Sequence, residues 1–240
     1  MKRIKLCYRL IPIYGMVFLL TILVTLIGNK AVQTLSSTAL LSPTFTFIID
    51  AGHGGEDGGA TSCTGVLESS LNLEIALRLN DLMQLLGHRT KMIRTEDTSI
   101  YTKGESLSQK KISDLKERVR ICNETDGALL ISIHQNTFPD SRYSGAQVFY
   151  PSTDGSEAFA KDLQAELIRT VNQGSKRAAK KAQGIYLMEH IQCPGILLEC
   201  GFLSNIEEES QLRSCNYQKK LCCIIATTAA RFALDAQTND

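Results

Sequence analysis

The sequence predicts an α/β fold: a single domain with a mostly parallel, roughly six-stranded twisted sheet flanked by helices on both faces, preceded by an N-terminal membrane-anchor or signal helix. Three observations carry that expectation. Short apolar, β-branched runs alternate with longer segments of helical periodicity. The short runs lack the strict polar alternation of a strand with one wet face, so both of their faces must be covered. Finally, 240 residues with 43% hydrophobic content suffice for one sizeable domain and are few for two.

Taken in order, the chain opens on "MKRIKLCYRL", with Lys2, Arg3, Lys5 and Arg9, followed by an uncharged run from Leu10 to Ile27. That run is long for a signal-peptide core and just long enough to span a bilayer. The cations before it place everything after Asn29 outside the cytoplasm by the positive-inside bias. The small-residue positions that follow make poor cleavage sites, so residues 1–29 read as an uncleaved signal anchor rather than a cleaved signal peptide. Residues 30–43, "KAVQTLSSTALLSP", form a short tether, and the catalytic domain is expected over 44–236.

Within that domain the expected strands are Phe45 to Asp50, Arg89 to Arg94, Ala128 to Ile133, Ala146 to Tyr150, Gly184 to Met188 and Gly195 to Glu199. Leu71, Ile75, Leu79, Leu82 and Leu86 repeat at helical steps and are stopped by Gly87. Phe159, Leu163 and Leu167 mark a second helix, and "YQKKLCCIIATTAARFAL" a C-terminal one. The polar stretch from Thr98 to Asp114 reads as a surface excursion, and the basic run from Ser175 to Lys181 as a solvated charge run ahead of its alternative, a contact for carboxylates of a substrate.

Composition excludes some partners. The net charge of +1 arises from 26 basic and 25 acidic residues mixed along the chain, which provides no field for nucleic acid. Eight cysteines form no compact framework and no CxxC pair, so most are expected to be small buried hydrophobes, with a single disulfide left open.

Chemistry is expected at the carboxyl ends of the strands. His53 follows "FIIDAG", His134 follows "ALLISI" and Glu199 ends "GILLE". A lone histidine there is as often an ordinary loop-entry residue, but two histidines and a carboxylate at one sheet edge are harder to dismiss. A catalytic zinc ion needs three protein ligands and an open position. Glu68, at the first turn of the helix after the glycine-rich loop, is the natural third ligand, although alone it would read as an acid complementing the helix dipole. Glu56 and Glu74 are less well placed. Glu199 suits a general base, since emergence from an apolar strand raises its pKa; the plainer alternative is a strand-end carboxylate paired with a cation. His88 and His190 read as surface residues, and Cys200, alternating with Glu199, as packing. There is no G-x-S-x-G elbow and no P-loop lysine.

"IIDAGHGGEDGGA", "VLESSLNLEIALRLNDLMQLLGH", "ISIHQN" and "LLECGFLSN" resemble, in order and spacing, the zinc-dependent N-acetylmuramoyl-L-alanine amidases of bacterial cell walls, over Phe45 to Leu234. The resemblance implies one zinc ion on His53, Glu68 and His134, with Glu199 as the catalytic glutamate. Arg94, Asp97, Arg118, Asn123, Asn136 and Asn205 also fall on recurring positions, read as structural or substrate-orienting. "DTSIY", "GAQVFYP" and "RAAKKAQGIYLMEHIQCPG" are similar to the germination-specific branch of endospore-forming bacteria. That branch implies action on peptidoglycan during cortex maturation, ahead of a deacetylase that permits muramic-δ-lactam formation, and in some members a lipoprotein partner. Two rivals stay open: another zinc wall hydrolase (a carboxypeptidase or deacetylase) and a non-catalytic wall-binding module.

Overall fold

The computed structural model describes residues 45–238. The expected anchor and tether lie outside the described residues, and among the described ones no helix is long and apolar enough to cross a membrane. The strands are β1 (Thr46–Ala51), β2 (Arg89–Met92), β3 (Ala128–Asn136), β4 (Gln147–Tyr150), β5 (Lys180–Lys181) and β6 (Gly195–Phe202). The helices are α1 (Glu68–Leu85), α2 (Leu107–Asn123), α3 (Ser156–Thr170), α4 (Tyr186–His190), α5 (Ile206–Leu212) and α6 (Cys215–Thr238). Together the strands make a six-stranded sheet in the order β2-β1-β3-β6-β4-β5.

The four strands β2, β1, β3 and β6 are mutually parallel, whereas β4 runs antiparallel to β6 and carries β5 beside it. Every residue of β1 is buried. Successive side chains of a strand point to opposite faces, and the two faces feed two cores. Phe47, Ile49 and Ala51 join Leu129, Ile131 and Ile133 in the larger one, under Leu71, Ile75 and Leu79 of α1 and Phe159 and Leu163 of α3. Ile48, Leu130 and Leu197 face the smaller core, closed by Cys122, Leu187 and Met188. Helix α1 ends where expected, with Gly87 in the left-handed region at φ 85.

Two expected elements differ. Gly184 to Met188 is not a strand: its apolar residues close the smaller core as the single-turn helix α4, and the edge strand is the exposed pair Lys180–Lys181. A short apolar run does not declare its own periodicity, and charged residues are what a sheet edge tolerates. The excursion expected from Thr98 to Asp114 becomes helix from Leu107 onward, opened by a capping box in which Ser106 Oγ accepts from Gln109 N and Gln109 Oε1 from Ser106 N.

Between His134 and Asn136 the pairing of β3 with β6 slips: His134 lies opposite Glu199, but Asn136 lies opposite Phe202. One extra residue in β6 is a bulge, and it falls directly after Glu199.

Candidate active site

Sequence order scatters His53, Glu68 and His134 over three elements, and the fold brings them together. One ligand atom from each lies within 4.8 Å of the others. Glu68 is the hub. Its Oε1 is 3.1 Å from His134 Nδ1 and its Oε2 is 3.3 Å from His53 Nε2. The same carboxylate accepts from Ala60 N (3.0 Å), Gln135 N (3.1 Å) and Asn72 Nδ2 (3.3 Å), so the loop, β3 and α1 all fix it. Burial alone would raise the pKa of Glu68, but the two imidazoles hold it far below the usual carboxylate range.

His53 is the one non-glycine residue among the described ones with positive φ, at 63°, a conformation L-residues seldom adopt. The glycines around it explain how it is accommodated. A Cβ on Gly52 would stand 2.2 Å from the His134 ring, and one on Gly59 would stand 2.7 Å from both Glu68 Oε2 and His53 Cδ2. Asp57, which is not among the residues singled out from the sequence, accepts from His53 Nδ1 at 2.9 Å and leaves Nε2 facing Glu68. This carboxylate–histidine contact is the device that orients metal-binding imidazoles. Its only signal in the sequence is an acid four residues beyond His53 in the same tight loop. Burial lowers the pKa of His53, but Glu68 and Asp57 outweigh it and push it up to about 9.

Behind this cluster the two arginines expected at recurring positions are buried and hold main-chain carbonyls. Arg94 donates to Ala51 O (2.8 Å), Gly52 O (3.1 Å), Ser69 O (2.8 Å) and Glu96 O (2.9 Å). Arg118 donates to Ala51 O (3.0 Å) and His53 O (2.8 Å) and pairs with Asp50 and Asp114. These contacts pin the loop that presents His53. Asp97 accepts from Gly55 N at 3.1 Å, Asn123 bridges His190 O and Gln192 N, and Asn205 caps α5. Asn136 contributes its carbonyl, which accepts from Leu203 N. All six are thus tied into the scaffold.

Glu199 behaves differently. It lies opposite His134 in the β3–β6 pair, and its Oε2 is sealed from solvent without a hydrogen-bond partner. Burial pushes its pKa up to about 7, with the Glu68 charge adding to that rise and His134 and His53 opposing it. The alternative expected for it, pairing with a cation, finds no such partner for Oε2 among the described residues. Two imidazoles and a carboxylate form the donor set of a metal centre with an open position, and an unpartnered carboxylate titrating near neutrality beside it can take and return a proton.

His190 is exposed, while His88 is half-buried with its ring 5.2 Å from that of Phe47. Cys200 is fully buried packing, together with Cys122 and Cys222, but Cys63, Cys215 and Cys223 are exposed and all the described cysteines are free. Burial of most of the cysteines is therefore too broad an expectation, because three of them sit in a loop and on the outer face of the C-terminal helix.

A family model for N-acetylmuramoyl-L-alanine amidases matches residues 47–230. The chain belongs to the N-acetylmuramoyl-L-alanine amidase family. This member is 40% identical over 186 residues to the germination-specific N-acetylmuramoyl-L-alanine amidase of Bacillus subtilis, covering 77% of this chain and 78% of that protein. To the B. subtilis amidase LytC it is 30% identical over 201 residues, which span 81% of this chain but 37% of LytC. Among solved structures it resembles the CwlD amidase of Clostridioides difficile, determined in complex with the GerS lipoprotein, with a TM-score of 0.74 and 36% identity over 78% of this chain and 98% of that one. The family resemblance, the α/β fold and the enzyme class expected from the sequence stand on these matches.

Proposed function

We propose that this chain hydrolyses the amide joining the lactyl group of N-acetylmuramic acid to L-alanine, with one zinc ion on His53, Glu68 and His134 and with Glu199 as general base. The observation that carries the reading is the buried, unpartnered Oε2 of Glu199 opposite His134. The donor set fits zinc: both imidazoles are accessible enough to exchange a ligand, at 25% and 19% side-chain exposure, while Glu68 is buried at 5% and cannot swing away. When bound, zinc would polarise the scissile carbonyl and acidify water.

The protein's own groups supply the proton transfers. Glu199 Oε2 takes a proton from the attacking water and then delivers it to the departing alanine nitrogen; a pKa near 7 suits both steps. Asp57 keeps His53 in the orientation that turns Nε2 toward the centre. Arg94 and Arg118 keep the loop from shifting during turnover.

Similarity to a germination-specific amidase and to a lipoprotein-bound one supports a role in spore-cortex maturation on the muramic-δ-lactam route, with a lipoprotein partner. The four cations before the uncharged run Leu10 to Ile27 support export and retention at the membrane. Mass spectrometry of muropeptides after incubating the full chain with peptidoglycan and zinc tests the reaction. Intact peptides beginning with L-alanine are expected, and are expected to vanish with chelator or with Glu199→Ala. Release of single amino acids or acetate would favour a carboxypeptidase or deacetylase.

A further inference from the structure

A groove of about 990 Å³ opens on the described surface, and none of His53, Glu68, His134 and Glu199 lines it. The antiparallel pairing of β4 with β6 sets Gln147 opposite Glu199, and residues directly opposite in such a pair present their side chains on one face. Gln147 lines this groove, and so do Lys176, Arg177 and Lys180 from the basic run read in the sequence as solvated charge. The β4–β5 pairing brings that run alongside: Gln147 Nε2 donates to Ala178 O at 2.6 Å, and Arg177 Nη1 donates to Gln147 Oε1 at 3.3 Å. Arg177 is therefore one side chain removed from Glu199.

Its guanidinium is held rather than loose. Nε donates to Ser144 O at 2.8 Å and Cζ lies 4.8 Å from the centroid of the Phe202 ring. Nη2 has no hydrogen-bond partner among the described residues, and neither Arg177, Lys176 nor Lys180 forms an ion pair there. The buried acid of the groove, Glu208, is occupied by the backbone N–H groups of Gly145 and Phe202, both at 2.8 Å. Elsewhere on the surface cations find acids, as Lys110 does with Glu56 and Lys161 with Glu157. Glu207 also lines the groove and the Arg177 charge acts on Glu208, but no carboxylate among the described residues lies within ion-pair distance of Arg177, Lys176 or Lys180; these three cations, the central one pre-oriented with a free N–H edge, form a receptor for a carboxylate.

We infer that Arg177 binds the carboxylate of an acidic residue immediately following the L-alanine released by the reaction, with Lys176 and Lys180 supplying the surrounding positive field. The inference rests on the amidase reading for its substrate, and it makes the site selective for acidic over amidated peptides.

Calorimetry tests it without turnover, on the full chain carrying Glu199→Gln in detergent micelles. The probes are two muramoyl peptides that differ only in a free or an amidated carboxyl on the second residue. The free acid is expected to bind about tenfold more tightly, the scale of a charge-assisted hydrogen bond, and adding Arg177→Met is expected to erase the preference by weakening the acid alone. Arg177→Lys, and Lys176→Gln with Lys180→Gln on the exposed rim, are expected to leave an intermediate preference and guard against misfolding of the first variant. Equal binding of acid and amide, no binding of either, or a preference that survives Arg177→Met would overturn the inference. Failure of the amidase reading looks different: the acid preference persists in binding, yet the unmodified chain releases peptide from neither substrate.

Discussion

Asp50 and Glu199 are both buried carboxylates on strands of one sheet, and the protein treats them in opposite ways. Asp50, on β1, is ion-paired with Arg118 and accepts from Ser132 Oγ at 2.6 Å. Burial works against its charge, but Arg118, His134 and Ser132 win, and its pKa lies below the usual value. Glu199, on β6, has no partner for Oε2, and burial wins. Inside a protein a carboxylate with its partners present is scaffold, whereas one left unpartnered stores reactivity at a cost in stability. The difference teaches that burial alone does not mark the reactive group; the absence of a counter-charge does.

The largest test of that contrast is catalytic. Glu199→Gln preserves shape and removes the base, so turnover of peptidoglycan should fall about 10²–10⁴-fold while the thermal midpoint does not drop. Asp50→Asn should do the reverse in kind, lowering the midpoint first. A Glu199→Gln chain that unfolds more easily would place Glu199 among the scaffold groups and break the comparison.

Next in size is the partner of Asp50. Arg118→Met leaves a buried carboxylate without its cation, and breaking such a pair costs about 3–5 kcal/mol. Urea unfolding would measure it. A loss below about 1 kcal/mol, the range of exposed pairs, would mean that water reaches Asp50.

The two carboxylates should also respond to pH with opposite sign in metal-free protein. Asp50 has a depressed folded pKa, so its stabilisation is complete above its unfolded value of about 3.9 and is lost as pH falls below that. Glu199 has a raised folded pKa, so its favourable contribution is complete below its unfolded value of about 4.3 and is lost as pH rises through about 7. Urea midpoints of the chain and of Glu199→Gln should therefore coincide near pH 4 and diverge toward pH 8, with the variant the more stable. Parallel curves would show that Oε2 is solvated.

The same distinction explains what was legible in the sequence. His53, His134 and Glu199 could be found because strand ends announce themselves through apolar runs, and Glu68 because it opens a periodic helix. Helix α2 is not legible as hydrophobic periodicity because its buried residues are Ser113, Arg118 and Cys122 rather than an apolar stripe; it delivers a guanidinium to Asp50, which such periodicity does not register. Its capping box was readable in "SLSQ". The edge strand at Lys180 was hidden because a two-residue strand carries no pattern at all. Asp57 and the Arg177 groove depend on which side chains find partners and which do not, a property of the assembled fold.

The smallest effect concerns a polar group whose satisfaction is complete. Asn205 accepts from Glu207 N (3.0 Å) and Glu208 N (3.1 Å) and donates to Ser141 O (3.0 Å) and Tyr143 O (3.3 Å), joining the start of α5 to the rim of the basic groove. Asn205→Ala should cost about 1 kcal/mol, the usual worth of an N-cap. Asn205→Ser separates the two halves, since serine caps as well as asparagine but is too short to reach both carbonyls. If serine restores full stability in urea, the carbonyl contacts contribute nothing and the rim is free to move. If serine is as poor as alanine, the rim contacts are what Asn205 supplies, and α5 is held to the groove from outside its own first turn.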